Sequence, residues 1–139
     1  MNITLATSDN DILKCWKVIK TLRPHLEEAA FLPMVREMFS EGYRLAFIEK
    51  DNEAVSAIGF RYLQFLYNGK HIYIDDLSTL PEGRGNGYAG KLLDYVFEYA
   101  RQKGYKVVTL DSGHHRSDAH RLYLNKGFTI DSHHFGKKL

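Results

Sequence analysis

Cysteine is nearly missing from this chain: Cys15 is the one thiol in 139 residues. No internal disulfide can form, and the cysteine clusters of a zinc module are excluded. His114-His115 and His133-His134 are adjacent pairs without an H-E-x-x-H string, so no metal is expected. Proline is sparse, at three residues, and no Pro-, Gly- or Ser-rich linker, repeat or low-complexity segment divides the chain. No apolar run approaches the length of a membrane span, and Met1–Asp11 has neither the basic nor the apolar region of a secretory signal. With the lone thiol, these absences predict a cytoplasmic protein without a membrane partner. An excess of one charge is lacking too: 19 basic residues against 17 acidic ones leave a formal net charge of +2. The two signs are intermixed, which argues against a nucleic-acid surface. What is abundant is apolar, at 44%. That suffices for one core in this length, so residues 1–139 are expected to form a single domain.

Patterning places the elements. Ile3-Thr4-Leu5-Ala6 reads as a strand, followed by a helix that Ser8 caps with Asp11 reaching back, with Ile12, Trp16 and Ile19 on one face. A second helix carries Pro33 in its first turn and Phe31, Met34, Val35, Met38 and Phe39 at burial spacing, ending near Gly42. Tyr43–Ile48 and Val55–Tyr62 flank the polar turn Lys50-Asp51-Asn52-Glu53, and Asn68-Gly69 predicts a second hairpin through a type I′ turn. His71–Thr79 then runs apolar and acidic towards Pro81. The helix from about Tyr88 to Lys103 buries Ala89, Leu92, Leu93, Val96 and Ala100 and stops at Gly104. Val107–Leu110 follows as a strand, Ser117 or Asp118 caps a short helix with Ala119, Leu122 and Tyr123, and Phe128-Thr129-Ile130 opens a last strand.

The segment Arg84-Gly85-Asn86-Gly87-Tyr88-Ala89-Gly90 carries the most chemistry. Glycines let the backbone approach an oxyanion, and the first turn of a helix offers amide N–H groups with no intrahelical acceptor at the positive end of its dipole. A pyrophosphate suits such a turn. From Gly85 the letters spell G-x-G-x-x-G, and Asp111 follows Gly90 by 21 positions, as in a dinucleotide-binding unit of an NAD(P)-dependent oxidoreductase. An antiparallel meander before the motif is not how such a unit begins.

Read from Arg84, the string R-G-N-G-Y-A resembles the R/Q-x-x-G-x-G/A signature of the GNAT N-acetyltransferase superfamily. Ala119-His120-Arg121-Leu122-Tyr123-Leu124-Asn125-Lys126-Gly127-Phe128 resembles that family's A-x-x-x-Y-x-x-x-G-F element. The chemical residues of the resemblance run from Tyr73 to Phe128, while the first half fits in arrangement only. It implies an α/β GNAT acyl-CoA N-acyltransferase fold, a mostly antiparallel mixed sheet flanked by helices, binding acetyl-CoA as co-substrate through Arg84, Gly85, Asn86, Gly87, Tyr88, Ala89 and Gly90, with Arg116 and Ala119 as further cofactor contacts. It implies further an N-acetyltransferase acting on a primary amine of a small molecule or peptide by direct attack in a ternary complex. A backbone N–H in Leu77-Ser78-Thr79 is then expected to steady the oxyanion, and Tyr123 to protonate the departing thiolate. Family members are often homodimers. Arg116 departs from the pattern: it stands where many members place an Asn against the pantetheine arm, three residues before Ala119. It could pair instead with a CoA phosphate, a substrate carboxylate or Asp118.

Removal of the ammonium proton falls to Asp75 or Asp76. Because side chains alternate along a strand, only one of the two is expected in the cleft, with preference for Asp75. A covalent role for Cys15 is less favoured than direct transfer, a free thiol in such a helix being most often a small buried hydrophobe. Arg23, His25 and Arg61 are candidates for an acidic group on the acceptor, Asp75, Asp76 and Asp111 for a cationic amine. Arg116, His120 and Tyr123 would share a helix side, which makes His120 a further acceptor candidate. A non-catalytic acyl-CoA sensor would keep the glycine turn without needing Tyr123, and a purely structural interaction domain would need neither.

Overall fold

The computed structural model describes residues 2–139 and resolves into two compact units, one reaching to Thr109 and the other Leu110–Leu139. In the first unit the order is β1 (Ile3–Leu5), α1 (Asp9–Lys14), α2 (Trp16–Leu22), α3 (Glu28–Ser40), β2 (Tyr43–Lys50), β3 (Glu53–Phe65), β4 (Gly69–Thr79), a 3₁₀ turn (Pro81–Gly83) and α4 (Tyr88–Gln102). β5 (Val108–Leu110) completes a five-stranded sheet in the order β1-β2-β3-β4-β5. β1 to β4 pair antiparallel throughout. α4 carries the chain back so that β5 meets the start of β4, where the Ile72 N–H donates to the Val107 carbonyl at 3.2 Å.

β3 is the central strand, and both its faces are buried from Ala54 to Phe60. On one face Phe60 meets Tyr99 of α4 edge-on at 5.1 Å. Leu92, Leu93 and Val96 of α4 are wholly buried, each worth about 1.5–3 kcal/mol relative to an exposed position. On the other face Tyr43 packs against Phe39 of α3, ring centroids 6.2 Å apart. The sheet is therefore a middle layer between α4 and the N-terminal helices.

Several expectations need correction. The first helix breaks at Cys15 into α1 and α2, and Trp16 is only half-buried. The capping box forms as read: the Asp11 N–H donates to Ser8 Oγ at 3.1 Å, and the Ser8 N–H to Asp11 Oδ2 at 3.4 Å. α3 begins at Glu28, which puts Pro33 inside the helix rather than in its first turn, and Met34 is 42% exposed. Asp51 and Asn52 both take positive φ, as the first hairpin turn requires, but at Asn68-Gly69 only Gly69 does (φ 70°). Phe65 pairs with Gly69, so the loop has three residues and needs one left-handed position, not the two of a type I′ turn. In α4 Tyr88 is buried where Ala89 was expected, Ala89 being half-buried.

The second unit contains the end of β5 and α5 (Ser117–Asn125). Neither Ser117 nor Asp118 caps this helix; the cap position is Arg116, without a side-chain hydrogen bond. Phe128-Thr129-Ile130 forms no strand. The Phe128 N–H is taken by the Tyr123 carbonyl at 3.0 Å, closing the helix end, and from Thr129 onward every residue is exposed.

Candidate active site

Two consecutive carboxylates organise the first unit. Phe60 pairs with Ile74 and Gly59 with Asp76, so Asp75 is an extra residue in β4, a β-bulge without a partner on β3. The bulge resets the alternation of side chains. Tyr73 pairs with Arg61 and Tyr43 across the sheet, and after the bulge Asp76 lines up with Gly59 and Leu45 on that same face. The expectation that one aspartate would face the opposite layer is thus overturned, because simple alternation holds only where no residue is inserted. Asp75 accepts from Arg61 Nε at 3.1 and 3.0 Å, with Arg61 Nη2 2.7 Å from Oδ2. Asp76 accepts from Tyr43 Oη at 2.7 Å on Oδ2 and from Arg23 Nε at 3.0 Å on Oδ1. Arg23 Nη2 lies 3.0 Å from the same Oδ1 and donates to the Asp75 carbonyl at 2.9 Å. Arg61 closes the group by lying over the Tyr43 ring, 5.4 Å from its centroid.

Burial raises the Asp75 carboxyl above the ordinary carboxylate range, a shift that pairing with Arg61 opposes but does not cancel. The Arg61 guanidinium is pushed up in turn by its hydrogen bonds to Asp75. Burial, with the Asp76 charge beside it, lifts the Tyr43 phenol far above its usual value, so Tyr43 is a permanent donor to Asp76. Sequence reading missed Tyr43 and its neighbour Gly59. A Cβ on Gly59 would fall 1.8 Å from Tyr43 Oη, so only glycine lets the tyrosine cross β3 to reach β4. An isolated glycine inside an apolar strand was the available signal of a close approach. Arg23 and Arg61 are brought to the aspartates. His25 is exposed in the same α2–α3 loop and has no polar partner among the described residues.

Beyond the bulge, the ladder with β3 fixes Leu77-Ser78-Thr79, and Ser56 Oγ donates to the Ser78 carbonyl at 3.0 Å and shares a 2.8 Å hydrogen bond with Thr79 Oγ1. The glycine turn follows. Gly85 (φ 83°) and Gly87 (φ 76°) are left-handed, and the space where their Cβ atoms would stand is open to 4 Å. Asn86 ties the turn internally, its Nδ2 donating to the Gly83 carbonyl at 2.9 Å. Arg84, Gly85, Asn86 and Gly87 are exposed, and the Lys91 N–H makes the first helical bond, to the Gly87 carbonyl at 3.1 Å. The N–H groups of Tyr88, Ala89 and Gly90 precede it and have no acceptor within α4. An open, positively polarised helix start with no side-chain cap fits a phosphate-bearing ligand.

In the second unit Asp111, His120 and Tyr123 line one cavity of about 610 Å³ with Ser112, Phe128 and His134. Arg116 is at the cap of α5 and Ala119 in its first turn, and neither lines the cavity. Burial raises the Tyr123 phenol above its usual value, against the pull of the Arg116 charge. The Tyr123 ring meets Phe128 edge-on at 5.8 Å. His134 Nδ1 stands 3.7 Å from Asp111 Oδ1. Cys15 is fully buried, its thiol pushed up to about 12 by desolvation, which is unsuited to a nucleophile. Among the described residues no group of three metal-ligating side chains occurs, and no helix is long and apolar enough to cross a membrane.

A sheet that feeds an acidic bulge and then a glycine turn into an uncapped helix defines an α/β protein with a helix start suited to an anion. Comparison with known proteins gives the family: the chain belongs to the GNAT acetyltransferases, which it matches over residues 10–128. It is 34% identical over 133 residues to YhdJ, an uncharacterized N-acetyltransferase of Bacillus subtilis (strain 168), covering 94% of both chains. It is 35% identical over 98 residues to the aminoalkylphosphonate N-acetyltransferase of Salmonella typhimurium, covering 70% of this chain and 62% of that protein. Its fold matches the ribosomal-protein-alanine N-acetyltransferase of Brucella melitensis biovar Abortus 2308 at a TM-score of 0.84, with 15% identity and full coverage of both chains. It likewise matches a predicted acetyltransferase of Clostridium acetobutylicum with acetyl-CoA, at a TM-score of 0.76 and 18% identity over 99% of this chain and 95% of that one.

Proposed function

We propose that this protein is an acetyl-CoA-dependent N-acetyltransferase that acetylates a primary amine of a small molecule or peptide by direct attack in a ternary complex, residues 1–139 acting as one catalytic domain in the cytoplasm. The observation that carries this reading is the open, uncapped start of α4 behind left-handed Gly85 and Gly87. Arg84, Gly85, Asn86, Gly87, Tyr88, Ala89 and Gly90 would hold the pyrophosphate there, and acetyl-CoA would supply an activated acetyl thioester. A backbone N–H of Leu77-Ser78-Thr79 steadies developing negative charge on a strand already fixed by its ladder.

Asp75 takes the ammonium proton on its carboxylate, directly or through water. Its burial favours the proton, while pairing with Arg61 favours the carboxylate. Tyr123 is the proton donor to the departing sulfur, an assignment that rests on its place in the A-x-x-x-Y-x-x-x-G-F string and on a phenol that stays protonated through neutral pH. The test is calorimetric titration with acetyl-CoA beside NADH and NADPH, followed by a thiol-release assay on an amine panel. One-to-one binding of acetyl-CoA alone is expected. Gly87→Asp should abolish it by setting a charge where the phosphates lie, and Tyr123→Phe should keep binding while slowing turnover roughly 10²-fold or more. Binding without turnover of any amine would make the protein a sensor, and binding of a dinucleotide instead would overturn the reading.

A further inference from the structure

The sequence left two readings of the acceptor side open, arginines for an acidic group or aspartates for a cationic amine. The bulge joins them. Arg23, Asp76, Asp75 and Arg61 form one continuous group on one face of the sheet, two positive and two negative charges in contact. A site balanced in this way gives a polycation little net attraction, since each carboxylate already faces a guanidinium. It matches a ligand that is itself of mixed charge.

The four charges are not equally committed. Asp76 accepts on both oxygens, from Tyr43 and Arg23, and is 14% exposed, whereas Asp75 accepts on both from Arg61 alone and, at 19%, is the more open carboxylate. Arg23 is the most exposed of the group at 40%, and its Nε and Nη2 face Asp76 and the Asp75 carbonyl. Among the described residues its Nη1 has no partner, so two charge-assisted donors remain available without breaking any existing pair. Arg23 also cannot swing away freely: it ends α2, and its loop is pinned where Lys20 Nζ donates to the Leu26 carbonyl at 2.7 Å. One edge of the Arg23 guanidinium thus touches the backbone of the residue proposed to accept the amine proton, while its Nη1 stays unpaired among the described residues.

We infer that the acceptor is a compact amine carrying an acidic group, carboxylate or phosphonate, with its ammonium at the Asp75 carboxylate and its acid on Arg23 Nη1. This rests on the proposed acetyl-transfer reading for the role of Asp75 and names the substrate class of that site. The recognition itself needs no acyl donor, which allows the two to fail separately.

The experiment uses the full chain with β-alanine and 2-aminoethylphosphonate as acid-bearing amines, propylamine as the neutral counterpart and spermidine as the polycation. Calorimetric titration without acyl donor and steady-state thiol release with acetyl-CoA are run side by side. The acid-bearing amines should exceed propylamine about tenfold or more in affinity and in kcat/KM, the scale of one charge-assisted hydrogen bond. Arg23→Gln should erase that margin through KM, and Arg23→Lys should retain part of it, with thermal melts showing that both variants fold. Preferential binding lost in Arg23→Gln supports the inference even if no amine is acetylated, a result that would sink only the enzymatic reading. Equal or better handling of spermidine or propylamine in both assays, or a margin untouched by Arg23→Gln, overturns the inference.

Discussion

Replacing Gly59 by alanine should be among the most damaging single-methyl additions to this protein. The new Cβ would stand 1.8 Å from Tyr43 Oη, 2.4 Å from Cζ and 2.7 Å from Cε1. Those atoms belong to a ring buried to 3% exposure on a strand, so no flexible tip is available to move aside. Tyr43 must vacate its place, with about 1–3 kcal/mol for the overpacked sheet. Its charge-assisted hydrogen bond to Asp76 is lost as well, about 1.5–3 kcal/mol. The sum, roughly 3–6 kcal/mol, is a large part of the 5–15 kcal/mol typical of a folded domain. At about 2–4 °C per kcal/mol, the melting temperature should drop by roughly 10–20 °C. Urea titration and thermal melts of Gly59→Ala, Tyr43→Leu and the double variant supply the check. Since a shorter side chain at 43 removes the collision, the double variant should be more stable than the sum of single effects implies, by 1 kcal/mol or more. If Gly59→Ala unfolds within about 0.5 kcal/mol of the parent, the size expected of a harmless surface change, the argument for a tyrosine crossing at this glycine is wrong.

Cys15 should not react with a thiol reagent at pH 8 until the chain is unfolded in urea. With the folded thiol near 12 and an ordinary value of 9.0, the folded state holds the proton longer, so this group lowers stability as pH rises from 9 towards 12. The slope is about 1.4 kcal/mol per pH unit, and urea titrations of Cys15→Ala should show a flatter decline across that interval; an identical decline would remove the assignment. The Asp75 carboxyl is raised by burial, so kcat/KM should fall on the acid side with an apparent pKa above the usual carboxylate range. Asp75→Asn should lose most turnover together with that limb, and a variant retaining both would clear Asp75 of the proton transfer. Ser8→Ala should cost about 1 kcal/mol in urea titrations through loss of the cap to the Asp11 N–H; no change would mean that the capping box contributes nothing to stability.

The parts of this molecule legible in its sequence are those written in local rules. The glycine turn, the Ser8–Asp11 capping box, the hairpin at Asp51-Asn52 and the stop of α4 at Gly104 each depend on a few neighbouring residues and their φ preferences. What escaped depends on pairing between strands. That Asp75 is bulged is set by which residues of β3 lie opposite, and no local pattern in His71–Thr79 marks the skipped partner. Tyr43 and Arg23 sit 33 and 53 positions from Asp76, so their convergence is a property of the folded sheet. Phe128-Thr129-Ile130 erred the other way: its β-forming composition needs a neighbour to pair with, and the Phe128 N–H is already spent on the helix end.

The bulge makes chain length and chemistry separable in β4. Ile74 faces Phe60 and Asp76 faces Gly59 whether or not a residue stands between them. Deleting Asp75 would therefore let the strand close up with every remaining partner unchanged, and Ile74 and Leu77 would still face α4. The loss would be confined to the anion under Arg61 and the carbonyl that Arg23 Nη2 donates to. A carboxylate held this way is an insertion in the literal sense, one that can be acquired or shed in a single step without renegotiating the sheet around it.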